Sequence, residues 1–78
     1  MVQVSWLRAD TTQILAAGSY TYVSDMRYTA AHSDTRDTWS LVIRNVTAAD
    51  SGVFECQVSG VETLRGKIFL VVIKNICV

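Results

Sequence analysis

The 78-residue chain holds few side chains able to do chemistry: two thiols, Cys56 and Cys77, and one imidazole, His32. A structural zinc site needs Cys and His at ligand spacing, and this set at unrelated spacings does not supply it. Two cysteines in so short a chain fit one disulfide, a broken disulfide or two buried thiols. Cys56 lies inside an apolar alternation, which suits a structural thiol rather than a catalytic one. His32 stands in a polar run without a second His, so a solvated side chain in a loop is expected. No carboxylate pair flanks a nucleophile, and neither a G-x-S-x-G elbow nor a glycine-rich phosphate loop occurs. The chain therefore reads as a non-enzyme, with no cofactor, no metal and no small-molecule substrate. One motif concerns modification: Asn45-Val46-Thr47 is an acceptor sequence for N-linked sugar, used only if the protein enters the secretory pathway. Asn45 should face solvent if Val46 points inward. The rarer form Asn75-Ile76-Cys77 is discounted.

The elements that must position these residues are strands. Seven basic and seven acidic side chains balance to zero and are dispersed, which argues against a nucleic-acid binder and against an anionic-membrane binder. Half the residues are apolar, too many for a disordered tail. The longest apolar run, residues 68–73, falls far short of a bilayer span. The residues after Met1 alternate like a strand and are not expected to be a leader peptide.

Residues 2–8 alternate with a period of two, and so do 39–46 and 53–59. Residues 20–23 are aromatic and β-branched, and 67–74 form a continuous apolar strand. Residues 14–17 are a short apolar run, and 26–31 carry weak strand propensity. Between them stand polar turns at 10–12, 32–37 and 47–52, and a hairpin loop over 61–66. No stretch shows a helical apolar stripe. About seven short strands at this spacing predict an all-β sandwich or barrel in one domain.

The most specific signal is Asp50-Ser51-Gly52-Val53-Phe54-Glu55-Cys56. It resembles the D-x-G-x-Y-x-C motif of immunoglobulin variable-type domains. The resemblance implies that Asp50 opens the turn before strand F, Gly52 takes the tight backbone and Phe54 packs in the corner. It makes Trp6 the core tryptophan of strand C, Arg27 the ion-pair partner of Asp50, and residues 39–43 strand E. A narrower resemblance rests on Val4-Ser5-Trp6-Leu7-Arg8, Ile14-Leu15, residues 18–28 (with Tyr20-Thr21-Tyr22, Ser24-Asp25 and Arg27-Tyr28), His32-Ser33, and Glu55-Cys56-Gln57-Val58-Ser59. Together they resemble the first immunoglobulin domain of the defective-proboscis-extension-response (Dpr) proteins. Membership implies a neuronal cell-surface protein that binds DIP-type immunoglobulin receptors in synaptic partner choice.

The chain departs from the pattern in three ways. Phe54 lacks the hydroxyl of the usual corner Tyr, so the corner hydrogen bond cannot form. The sequence begins at strand C, so strands A and B and their Cys are expected to be missing. Cys77 follows strand G, where it is not expected to pair with Cys56. The expected organisation is a partial variable-type sandwich over residues 1–74 (strands C, C′, C″, D, E, F and G) and a tail over 75–78. Loss of the disulfide costs about 2–5 kcal/mol in a small secreted domain. The missing strand B would also leave residues 41–46 as an open edge. A fragment of a larger gene product is therefore expected.

Strict alternation faces Phe54, Cys56 and Val58 inward and Val53, Glu55, Gln57 and Ser59 outward. Trp6 then points in, and Ser5 and Leu7 out. Leu7, Leu15, Tyr20, Tyr22, Glu55 and Gln57 are the expected partner-binding residues, an apolar patch with a polar rim. The two tyrosines share a side, so both are exposed or both buried. Trp6, Arg27, Asp50, Gly52, Phe54 and Cys56 are the expected structural set, and Asn45 the glycosylation site. The expected function is heterophilic recognition of another immunoglobulin-domain protein, with homophilic binding as a variant. The alternatives are an adhesion protein with another ligand and a non-functional fragment.

Overall fold

The computed structural model describes residues 3–73. Seven strands follow in order: β1 (Gln3–Arg8), β2 (Gln13–Ala17), β3 (Tyr20–Thr21), β4 (Tyr28–Ser33), β5 (Thr38–Ile43), β6 (Gly52–Ser59) and β7 (Leu64–Leu70). A single 3-10 turn, Ala48–Asp50, leads into β6. One sheet runs β3-β2-β1-β6-β7 and the other pairs β4 with β5, every pair antiparallel. This is the all-β, two-sheet sandwich of the variable type.

The core forms where the sheets face each other. Val4, Trp6, Leu15, Ala16, Tyr28, Ala30 and Phe54 are buried, with Trp39, Leu41, Ile43, Cys56 and Val58 packed against them. Trp6 stands directly opposite Cys56 in the β1–β6 pair. The two-stranded layer is narrower than the layer it covers. Opposite residues in an antiparallel pair share a face, so Leu64 and Ile68 of β7 share the inner face with Val58 and Phe54. Both nevertheless remain exposed.

Strand boundaries differ from the sequence reading: β3 ends at Thr21 rather than Val23, β4 begins at Tyr28 rather than Met26, β5 ends at Ile43 rather than Val46, and two further differences bear on the site. His32 belongs to β4 and is no loop residue: it pairs with Trp39, and the rings stack at 3.7 Å with 8° between planes. Flat aromatic stacking favours the extended backbone that the polar composition of 32–37 obscured. β7 starts at Leu64 and ends at Leu70, where 61–66 had been expected as loop and 67–74 as strand. Arg65 and Gly66 pair with Gln57 and Cys56, so the register set by β6 extends the strand through a polar stretch. The expected tail, 75–78, including Cys77, lies outside the described residues.

A β-bulge in the β1–β2 pair matters most. Trp6 pairs with Ala16 and Leu7 with Ile14, leaving Leu15 as the extra residue. Such an insertion suspends strict alternation, so two successive side chains can turn to one face. Leu15 (1% exposed) and Ala16 (0%) both enter the core, while Ile14 is 57% exposed. The Leu15 carbonyl accepts the N–H groups of Tyr22 (2.9 Å) and Val23 (3.2 Å), which ties the segment after β3 to the bulge.

Candidate recognition face

The turn into β6 is held from both sides. Arg27 donates through Nη1 and Nη2 to the two oxygens of Asp50, each at 2.8 Å, and also to Asp25 at 2.9 Å. The Thr47 N–H donates to Asp50 Oδ2 at 2.8 Å, closing a capping box around Ala48–Asp50. Asp50 is buried. Arg27 first, then the Thr47 amide, hold its carboxyl far below the usual carboxylate range. The Arg27 hydrogen bonds also lower Asp25, and both carboxylates raise the guanidinium.

On the other side, Arg8 donates to the Ser51 carbonyl at 2.6 Å, pairs with Asp10 at 3.1 Å, and lies 5.0 Å from the centre of the Phe54 ring. Its guanidinium crosses directly over Gly52. A Cβ added there would stand 2.5 Å from Arg8 Nη2, and the residue has φ +155°. The backbone conformation demands glycine, and any larger residue would also push the Arg8 terminus aside. Arg8 was absent from the expected structural set; its signal was a charged residue at the end of an alternating strand facing the motif. Phe54 fills the corner as an apolar ring. Cys56 is a free, half-buried thiol whose pKa is raised by burial, opposite to the shift that activates a nucleophile.

This scaffold fixes the outer face of the five-stranded sheet. Leu7, Glu55 and Lys67 form one cross-strand row, and Ser5, Gln57 and Arg65 the next. Gln57 Nε2 donates to Glu55 Oε2 at 2.8 Å, so these two outward side chains hold each other in place. Tyr20 and Tyr22 are both exposed, their rings edge to face at 4.8 Å. A shallow depression of about 390 Å³ is lined by Ser5, Leu7, Ile14, Ala17, Tyr22 and Gln57.

Four of the six expected partner residues, Leu7, Tyr22, Glu55 and Gln57, therefore meet on or beside the depression. Tyr20 flanks it. Leu15 does not belong: it is the fully buried side chain of the bulge, and Ile14 takes the surface position. The face also gains Arg65, because β7 extends back to Leu64, and Lys67 and the exposed Phe69, whose outward direction follows from their register against Glu55 and Val53. Alternation of Arg65, Lys67 and Phe69 around Gly66 was the signal that identifies them. Chemically the arrangement can bind an apolar protrusion and rim it with hydrogen bonds. Among the described residues, no group of three His, Cys, Asp or Glu side chains could hold a metal ion.

The immunoglobulin V-set domain model matches residues 2–72. Three solved structures are similar over 92% of the chain. The first is that of Dpr2 Ig1-Ig2 in complex with DIP-Theta Ig1-Ig3 (35% identity, TM-score 0.86, 33% of that chain). The second is Dpr11 IG1 bound to DIP-gamma IG+IG2 (32% identity, TM-score 0.86, 75% of that chain). The third is Dpr1 IG1 bound to DIP-eta IG1 (28% identity, TM-score 0.85, 68% of that chain). The chain thus spans a third of the length of the first relative and about three quarters of the second. No curated protein matches it.

Proposed function

Since the chain belongs to the immunoglobulin V-set family, close to the first domains of the Dpr proteins, we propose that it is a recognition module docking the outer face of its five-stranded sheet onto another immunoglobulin domain. The observation that carries this reading is the depression walled by Leu7, Ile14 and Tyr22 and rimmed by Ser5 and Gln57. Apolar area on a sheet face otherwise open to water favours association, and an aromatic beside a pocket is the usual anchor. The related structures carry Dpr domains bound to DIP domains, which supports a DIP-like immunoglobulin receptor as the heterophilic partner. A second copy of the chain is the homophilic variant.

An ordinary specific interface covers roughly 800 Å² per partner, which a five-stranded face can provide. The setting proposed is the cell surface or extracellular space, in neuronal partner choice, with residues 1–74 as the module. Among the described residues, no helix is long and apolar enough to cross a membrane. Surface plasmon resonance of the chain against a panel of DIP-type domains, and against itself, tests the reading. Saturable binding that Tyr22→Ala weakens at least about tenfold is expected for a central aromatic anchor. Binding that survives Tyr22→Ala together with Leu7→Asp would move the interface elsewhere.

A further inference from the structure

We propose that Asn45 is an N-glycan acceptor, placed so that the sugar and the recognition face occupy opposite layers of the sandwich. Asn45, Val46 and Thr47 are all exposed, in the segment between β5 and the 3-10 turn. Val46 does not point inward, so the exposure of Asn45 has another origin: a left-handed backbone with φ +49°. The backbone around the motif is pinned. Arg27 Nη1 donates to the carbonyls of Asn45 (3.2 Å) and Arg44 (3.4 Å), and Asp50 holds the Thr47 amide. The Asn45 side-chain amide makes no hydrogen bond among the described residues. The Arg27–Asp50 pair thus presents the acceptor amide to solvent on a fixed turn.

The substrate class is a lipid-diphosphate-linked oligosaccharide. A bond forms between Asn45 Nδ2 and the anomeric carbon, and the bond from that carbon to the diphosphate oxygen breaks. The lipid diphosphate leaves with the electron pair, and one amide proton is lost to water. The sugar would stand at the end of β5, in the two-stranded layer, while Leu7, Ile14, Tyr22 and Gln57 face outward from the other layer. This placement, though not the glycosylation itself, rests on the function proposed above.

Left-handed φ alone could explain an asparagine here, because Asn and Asp adopt it more readily than other non-glycine residues. Asn45→Asp separates the two roles: it keeps the turn and removes the acceptor. The test is cell-free translation of the whole chain behind a cleavable leader, with endoplasmic-reticulum microsomes. One endoglycosidase-sensitive band shift is expected in the natural sequence and in Thr47→Ser, and none in Asn45→Asp. Absence of a shift in the natural sequence, or a shift that survives Asn45→Asp and so belongs to Asn75, overturns the assignment. The readout needs no partner, so it is independent of the binding test. Equal affinity of glycosylated and enzymatically deglycosylated chains for the same DIP-type domain is expected, and more than about threefold weaker binding by the glycosylated form overturns the placement.

Discussion

Leu15 and Ile14 are chain neighbours with opposite environments, and truncating each to alanine measures the bulge directly. Leu15 is 1% exposed among Trp6, Ala16 and Phe54, whereas Ile14 is 57% exposed on the outer face. A buried Leu→Ala change loses transfer free energy and leaves a cavity, together about 2–5 kcal/mol. The surface Ile→Ala change loses strand propensity and partial burial, about 0.5–1 kcal/mol. Total stability scales to roughly 4–12 kcal/mol for 78 residues. Leu15→Ala therefore removes a large share of it, lowering the melting temperature on the order of 15 °C for a loss of about 3 kcal/mol. Ile14→Ala lowers it by about 5 °C or less. Urea titration and thermal melts followed by Trp fluorescence report both values. The same pair, carried into a binding assay, should invert: Ile14→Ala weakens partner affinity and Leu15→Ala leaves it unchanged wherever the fold persists. Both numbers are differences within one background, so the comparison holds in any longer chain that contains these residues. Equal destabilisation, or Ile14 the costlier site, would mean that alternation runs unbroken through β2.

Acid stability should report on Asp50. Its folded-state pKa is depressed, so the ion-pair contribution is present above the unfolded value near 4 and is lost as pH falls below it. Melting temperature should drop steeply from about pH 5 to pH 2 in the natural sequence and much less in Asp50→Asn, a flattening that a pH series of melts would reveal. Gly52→Ala should cost about 2 kcal/mol or more through strain at φ +155° and collision with Arg8, with part of the loss recovered in the Arg8→Ala background of a double-mutant cycle. Tyr22→Ala should leave stability within about 0.5–1 kcal/mol while reducing partner affinity, because the ring is exposed in the free protein. Cys56 should react slowly with a maleimide at neutral pH until denaturant is added, since burial raises its pKa and limits access.

The sandwich itself was legible because β1 and β6 are regular. Val4 and Trp6 alternate with Ser5 and Leu7, Phe54 with Glu55, and these strands face each other residue for residue. The turn at 47–52 was legible for a different reason: Asp50 accepts the Thr47 amide three residues away and Gly52 carries a positive φ of its own, so much of the signal is local. The outward direction of Leu7, Glu55 and Gln57 was legible because they rest on those strands. It was misread at Leu15, because a bulge is created by pairing with β1 and leaves no mark in the periodicity of five residues. Arg65, Lys67 and Phe69 were missed for a related reason. The strand was legible from Lys67 onward, but its start at Leu64 and which of its residues face outward are dictated by register against β6, a non-local cause. His32 was taken for a loop residue because stacking on Trp39 depends on a partner seven positions later being in register.

The extra residue in β2 sends Ile14 and Ala17 outward as a pair spaced by three, with two core residues between them. A regular strand would have spaced its outward residues by two, leaving less room beside Leu7. The hollow next to Tyr22 is therefore sculpted by main-chain geometry as well as by small side chains. Positions 14 and 17 can consequently diversify toward new binding counterparts while 15 and 16 go on meeting the demands of packing. A single-residue deletion in this strand would merge those two tasks and abolish the hollow.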